Sequence, residues 1–287
     1  MNKLNAVDVL VIGGALAGLT AALAAHESGA RVMLVSKAPV GKAGNTLIAA
    51  GVICAVLEAD DSPELFLENL RASGKGLIEE ALTRKMAYNS TKIFHKLCEF
   101  GVNFAAADGK IKVGKSSGHN RARNVQVNTD GIPIQNAGLG FMNPLTKACL
   151  ERKIPLYGGL RLTRLLTAEG RIAGAEFVDG SGEIQQVTAK TIILATGGYS
   201  KLFGKTNNTA DVSGDGTIAA LNAGCIIKDP EQVQFFPCMM FTPAKLVPSN
   251  ILFGHGAVLR NAERKQFMYD YDPQGDMATR DVMSRAI

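Results

Sequence analysis

Two glycine-rich turns carry the residues best suited to chemistry. Gly13-Gly14-Ala15-Leu16-Ala17-Gly18 follows an apolar run at 7–12 and opens an Ala- and Leu-rich helix pattern at 16–28. Ala195-Thr196-Gly197-Gly198 ends a second apolar run at 192–195. A tight turn between a buried strand and a helix aims backbone N–H groups and the helix N-terminus at a pyrophosphate. The usual pattern is G-x-G-x-x-G. Here Ala15 stands at the second glycine, where the backbone approaches phosphate most closely, so one methyl group pushes the anion slightly outward. The next strand, 31–35, ends in Ser36-Lys37 with no carboxylate, which disfavours a plain NAD site. A serine hydroxyl can still bond ribose or phosphate. Asp215 lies between Gly214 and Gly216, ahead of a helix expected at 217–222. A carboxylate there suits ribose or ribitol hydroxyls; a simple helix N-cap is the alternative. In this order the two turns read as two parts of one FAD cradle.

The elements that must position these residues follow a consistent order. Strand, turn, helix and strand over 7–35 make a Rossmann unit; Asp8 and the clustered glycines argue against a membrane span there. Residues 36–51 form a small-residue loop with Gly41, Gly44 and Gly51, able to run flat along an extended cofactor. Its Leu47, Ile48, Ala49 and Ala50 predict burial. Asp61-Ser62-Pro63-Glu64 reads as a helix start with proline at the first helical position, and helices are expected at 63–73 and 77–99. Residues 102–140 show no steady period. Asn143 is expected to cap a helix over 144–152. Alternation at 160–165, 172–178 and 184–188, with turns at Glu169-Gly170 and 179–182, predicts a three-stranded antiparallel meander. The run at 192–195 then returns to the parallel sheet. The fold class is α/β: an FAD-binding Rossmann domain of the glutathione-reductase type with an antiparallel β-meander. Prolines at 230, 237, 243 and 248 change the texture after Cys225. The FAD-binding domain is expected over 1–225, and an incomplete α+β capping domain begins over 226–287.

Composition narrows the function classes. The chain has 287 residues, 46% hydrophobic, enough for one large domain or two ordinary ones. Its net charge of +5 is spread with mixed signs, and no Lys/Arg tract with interleaved aromatics points to nucleic acid. The four histidines and five cysteines have no metal-ligand spacing. Cys54, Cys98, Cys149, Cys225 and Cys238 read as small core residues of a reduced, cytoplasmic protein. No apolar leader precedes the strand at residue 7, so neither a signal peptide nor a membrane span is expected.

The motifs ATGG, S-GDG-x-x-x-A-x-x-AG and the closing ATRDVMSRAI resemble the flavoproteins of the L-aspartate oxidase and fumarate reductase/succinate dehydrogenase family. The resemblance covers essentially the whole chain. Aspartate oxidase is nearest in texture, through SPELFLENLRASGKGLIEEA and GHNRAR. The resemblance implies FAD contacts at Gly13, Gly14, Ala15, Leu16, Ala17 and Gly18, and along the loop at Ser36, Lys37, Gly44, Asn45, Thr46, Ala50 and Gly51. It implies further contacts at Ala195, Thr196, Gly197 and Asp215, with Leu162 at the adenine end. Arg280 matches the catalytic arginine, which moves a proton while hydride passes between flavin N5 and the adjacent substrate carbon. Three departures stand out. Asn45 occupies the place of a flavin-linking histidine, so the FAD should be non-covalent. In Q-[FY]-H-P-T, Phe236 replaces a substrate-binding histidine. In T-E-G-x-R-G-E-G, Ser249 keeps a carboxylate-binding hydroxyl while Asn250 and Phe253 replace the acidic and basic members of a proton relay.

Members of that family continue for some hundreds of residues, so the chain reads as an N-terminal half, a fragment or one subunit of a split flavoprotein. A C-terminal-half polypeptide or an iron–sulfur protein is the expected partner. Two functions compete: an FAD-dependent oxidoreductase of a small carboxylate, or an electron-transfer subunit whose dicarboxylate site has decayed. A nicotinamide-dependent Rossmann enzyme is disfavoured by Ser36 and by the ATGG/GDG pair.

Overall fold

A computed structural model describes residues 2–115, 119–240, 242, 251–254 and 256–287. Its regular elements are β1 (Asn2–Ile12), α1 (Leu16–Glu27), β2 (Val32–Val35), β3 (Val52–Cys54), α2 (Pro63–Gly74) and α3 (Glu80–Glu99). Short strands follow: β4 (Ala106–Ala107), β5 (Lys110–Ile111), β6 (Val113–Gly114) and β7 (Asn124–Gln126). Then come α4 (Leu139–Glu151), β8 (Leu156–Tyr157), β9 (Arg161–Ala168), β10 (Arg171–Val178), β11 (Ile184–Leu194), α5 (Asp215–Asn222), α6 (Ile251–Gly254) and α7 (Arg280–Ala286). The chain forms two compact units. One comprises Met1–Val52, His95–Lys112 and Gln126–Pro230; the other comprises Ile53–Phe94, Val113–Val125 and Glu231–Ile287.

The first unit is built on a six-stranded sheet ordered β8-β2-β1-β11-β10-β9. β8, β2, β1 and β11 run parallel, with Val9 opposite both Val32 and Thr191. β10 and β9 continue the sheet antiparallel. A continuously apolar strand needs cover on both faces. One face of β1 and β2 buries Leu10, Ile12, Met33 and Val35 with Phe177, Val187 and Ala219. On α1, Leu19, Ala22 and Leu23 are fully buried, and this helix packs on α4 and β2. Leu19 and Leu23 each contribute roughly 1.5–3 kcal/mol by leaving water. Glu169 and Gly170 both take positive φ (50° and 73°), closing the β9–β10 hairpin with the two-residue turn that matches strand twist.

Several expectations need correction. The third meander strand and the returning parallel strand are one strand, β11, antiparallel to β10 near its start and parallel to β1 through Leu194. Residues 189–191 hold no turn former, so nothing interrupts it. Asn143 caps no helix: α4 starts at Leu139 and carries Pro144 inside. Burial of Phe141, Met142, Leu145, Ala148 and Cys149 along one face outweighs the lost hydrogen bond. α3 begins at Glu80 rather than residue 77, because Lys75 and Gly76 take positive φ after α2 (47° and 87°). Ile48, Ala49 and Ala50 are exposed, contrary to their apolar character. Of the five cysteines, Cys149 is buried but Cys98 and Cys225 are exposed. Burial pushes the Cys149 thiol up to about 11.

In the second unit, Ser62 caps α2 by accepting from Leu65 N–H at 3.2 Å, with Pro63 at the first helical position as expected. Phe66 and Leu67 pack with Ala87 of α3. A second cluster joins Met268, Ala278 and Met283, with Phe253 and Cys238 against it. The side chains of Arg123 and Asp61 are wholly shielded and meet in a two-pronged ion pair, at 2.7 Å from Nε and 2.6 Å from Nη2. Asn69 accepts from Arg123 Nη1 at 2.6 Å, and the guanidinium lies 4.9 Å from the Phe66 ring centre.

Candidate functional site

Both glycine turns open on one cavity of about 240 Å³ in the first unit. They meet because β1 and β11 are adjacent and parallel, so their C-terminal ends lie side by side. Gly13 takes φ 124°, and a Cβ on it would lie 2.1 Å from Ala195 O. Only glycine allows the two turns to touch there. A Cβ on Gly18 would lie 1.8 Å from Gly13 O, so the helix closes on the strand only with hydrogen at that position. No side chain caps the first turn of α1, and no acidic residue lies in it. Its amides and the positive dipole end are therefore available to an anion.

The expected residues distribute clearly. Gly13, Gly14, Ala15 and Ala17 line the cavity, as do Ser36, Lys37, Gly44, Asn45 and Thr46. Leu162, Ala195, Thr196, Gly197 and Asp215 also line it. Leu16, Gly18, Ala50 and Gly51 do not; Gly18 acts through packing, and Gly51 is buried where a Cβ would lie 2.7 Å from Val127 Cγ2. Ser36 is buried, its N–H donating to Tyr157 O at 2.8 Å.

Asp215 is the first residue of α5, not a cap before it; Gly214, with φ 81°, precedes the helix. Lys37 Nζ donates to Asp215 Oδ2 and to Ser213 Oγ, each at 2.5 Å. This pair ties the end of β2 to the start of α5 across the cavity wall. Asn45 Nδ2 donates to Asn208 Oδ1 at 2.5 Å, and Asn45 Oδ1 accepts from Thr209 N–H at 3.2 Å. Sequence reasoning does not select Ser213, Asn208 or Asp211, the last of which also lines the cavity. Ser213 lies in the quoted S-GDG motif, two residues from Asp215. No local spacing signals that Asn208 meets Asn45.

In the second unit, Arg280 opens α7. Its Nη1 donates to Gln234 Oε1 at 2.9 Å, and its guanidinium lies 5.1 Å from the Phe236 ring centre. It does not pair with Asp281, whose carboxylate accepts from Lys75 at 2.7 Å, Thr279 at 2.5 Å and Arg285 at 3.0 Å. These partners, Lys75 foremost, hold the Asp281 carboxyl well below the usual carboxylate range. Phe253 is committed to the Met268 cluster. Ser249, Asn250 and His255 lie outside the described residues. Among the described residues no His, Cys, Asp and Glu gather as a metal site, and no helix is long and apolar enough to cross a membrane.

An α/β fold with two glycine turns at one cavity, an uncapped helix N-terminus and polar side chains on the cavity wall defines a dinucleotide-binding protein. Residues 8–287 match the family described as FAD binding domain, and the chain belongs to that family. FAD is therefore the dinucleotide, and the side-chain-free approaches at Gly13, Gly14 and Gly18 fit a pyrophosphate held by backbone. The chain is 35% identical to the L-aspartate oxidase of Caulobacter vibrioides over 285 residues, 97% of this chain and 54% of that protein. It is 30% identical to a subunit of the fumarate reductase (CoM/CoB) of Methanothermobacter marburgensis over 293 residues, 100% of this chain and 53% of that protein. Sdh1 of Mycobacterium smegmatis has a similar structure, with TM-score 0.84 and 29% identity over 100% of this chain and 50% of that one. The chain spans about half the length of the curated relatives it matches. The resemblance read from the motifs holds.

Proposed function

We propose that the chain carries the FAD cradle of an oxidoreductase of the fumarate reductase/succinate dehydrogenase/L-aspartate oxidase type, acting on a small carboxylate. The observation that carries this reading is the single cavity shared by both glycine turns and bridged by Lys37 and Asp215. Bound FAD would supply hydride transfer at its N5. Residues 13–18 would hold the pyrophosphate, Asp215 the sugar-alcohol hydroxyls, and Leu162 the adenine end. With Asn45 in place of a linking histidine, the FAD is held non-covalently. In this reading residues 1–225 form the FAD-binding domain, of glutathione-reductase type, and a capping domain starts within 226–287, although 53–94 and 113–125 fall in the compact unit that also holds 231–287.

Arg280 is the proton donor or acceptor, or the anchor of a substrate carboxylate, with Ser249 and Phe236 as substrate neighbours. Its engagement with Gln234 rather than Asp281 supports that role, since no carboxylate of its own helix neutralises it. Arginine hardly ever deprotonates in proteins, so proton transfer demands a strongly cationic, organised site. Phe236 beneath the guanidinium supplies an apolar wall where the resemblance expects histidine. A carboxylate with an apolar portion fits better than fumarate. Loss of a general acid–base path costs about 10²–10⁴-fold, so fumarate turnover should be weak. The same departures favour a second reading, an electron-transfer subunit with a degenerate dicarboxylate site. A C-terminal-half or iron–sulfur polypeptide is the partner, and the assembly is cytoplasmic or peripheral to a membrane complex.

The test is flavin content followed by turnover. Protein purified with its partner polypeptide should be yellow and release FAD on acid precipitation. A nicotinamide dinucleotide in its place defeats the reading, and flavin left on the denatured chain defeats the non-covalent claim. Arg280→Gln should abolish activity on a carboxylate substrate; unchanged activity removes Arg280 from the chemistry.

A further inference from the structure

The wall of the cradle carries a charge that its polar network does not use. Among the described residues that line the cavity, the charged side chains are Lys37, Asp211 and Asp215. Lys37 and Asp215 are paired at 2.5 Å. Asp211 is half-buried, and among the described residues nothing donates a hydrogen bond or an opposite charge to its carboxylate. Lys37 and Asp215 cancel, so the side chains of the wall sum to the negative charge of Asp211.

The carboxylate is held where it is. Val212, beside it, is buried and donates from its N–H to Thr209 O at 3.2 Å. Thr209 N–H donates to Asn45 Oδ1, and Asn208 accepts from the same side chain, which ties this segment to the loop at 36–51. A Cβ on Gly44 would lie 3.2 Å from Ala15 Cβ and 3.8 Å from Asp211 Oδ2. Laid end to end, these distances keep Asp211 Oδ2 within about 7.0 Å of the Ala15 methyl.

Ala15 stands where the first glycine turn comes closest to an anion. A diphosphate brings two negative charges to that turn, and the N-terminus of α1 offers roughly half a positive one. Like charges at this range repel appreciably where water is partly excluded. We propose that Asp211 opposes the diphosphate of FAD and limits how tightly the cradle retains it, so that the flavin exchanges instead of staying locked in. The inference rests on the reading that residues 13–18 hold the pyrophosphate.

The test titrates FAD into the flavin-stripped protein, the 287-residue chain with its partner polypeptide, and follows flavin fluorescence. Asp211→Asn and Asp211→Ala should each tighten FAD by about tenfold at about 0.01 M salt. The gain should shrink as salt rises to about 1 M, where the screening length falls from about 30 Å to about 3 Å. Weaker binding in both variants makes the carboxylate a ligand of a sugar hydroxyl and overturns the proposal. A gain with asparagine alone, or one that salt does not touch, assigns the effect to the new amide or to shape and also overturns it. Gly18→Ala, measured beside them, separates the two readings. If it releases FAD while both Asp211 variants bind as the parent does, the repulsion is refuted and the placement of the pyrophosphate stands. If Gly18→Ala binds as the parent does, the placement fails and takes the proposal with it.

Discussion

Replacing Gly18 by alanine tests whether the cradle is held by backbone contact. Gly18 lies in the first turn of α1, and an added Cβ would meet Gly13 O at 1.8 Å and Gly13 C at 2.8 Å. Ordinary contact for such atoms is roughly 3.5 Å, so the two must separate by about 1.7 Å, the difference between 3.5 and 1.8. Gly13 has little freedom to yield. Its N–H is bonded to Val35 O at 2.8 Å, and its own missing side chain faces Ala195 O. The displacement must pass into the turn that would hold the pyrophosphate, or into the seat of α1 on the sheet. Overpacking of this kind costs about 1–3 kcal/mol. Each kcal/mol lowers the melting temperature of a domain this large by roughly 2–4 °C. If the same strain opposes binding, FAD affinity falls by roughly 5- to 150-fold, at 1.36 kcal/mol per tenfold. Scanning calorimetry and the flavin retained after desalting measure the two effects. Gly198→Ala is the matched control, since no atom lies within 4 Å of its added Cβ. Equal melting temperature and equal flavin retention in the two variants would refute the packing role of Gly18.

Asp61→Asn should destabilise the chain by about 3–5 kcal/mol, because it strands the shielded Arg123 guanidinium without its counter-charge. Equilibrium denaturation measures this, and a loss below about 1 kcal/mol would show that the pair is solvated in practice. His119 gives a pH dependence. Burial first, then the charge of Arg123, holds its imidazole below the ordinary value of 6.5. The unfolded chain then binds the proton at higher pH than the native one, so stability falls as pH drops from about 6.5 into the depressed range. His119→Gln should flatten that slope. Superimposable profiles for variant and parent would remove His119 as its source.

The parts of the fold legible in the sequence are those governed by short-range rules. Gly13 and Gly18 signal close backbone approach, Ser62-Pro63 a helix start, and Glu169-Gly170 a two-residue hairpin; each sits where these rules put it. The misreadings occur where packing overrides local preference. Pro144 reads locally as a boundary, but the buried face of α4 runs through it. The composition shifts before residue 192 as if the meander ended there, yet β11 keeps β1 beside it from Gln185 to Leu194 and only its pairing with β10 stops at Thr188. The polar links of the cradle are beyond reach for a different reason. Lys37 to Asp215 and Asn45 to Asn208 join residues 178 and 163 positions apart, and no periodicity encodes such a meeting. Arg280 combines both cases. A motif marks it, but only the fold shows Asp281 turned to Lys75, Thr279 and Arg285 while Arg280 rests on Phe236 and Gln234. A backbone-made phosphate site is thus written in glycine spacing, whereas the charge left to act on a substrate is settled by which distant side chain claims each neighbour.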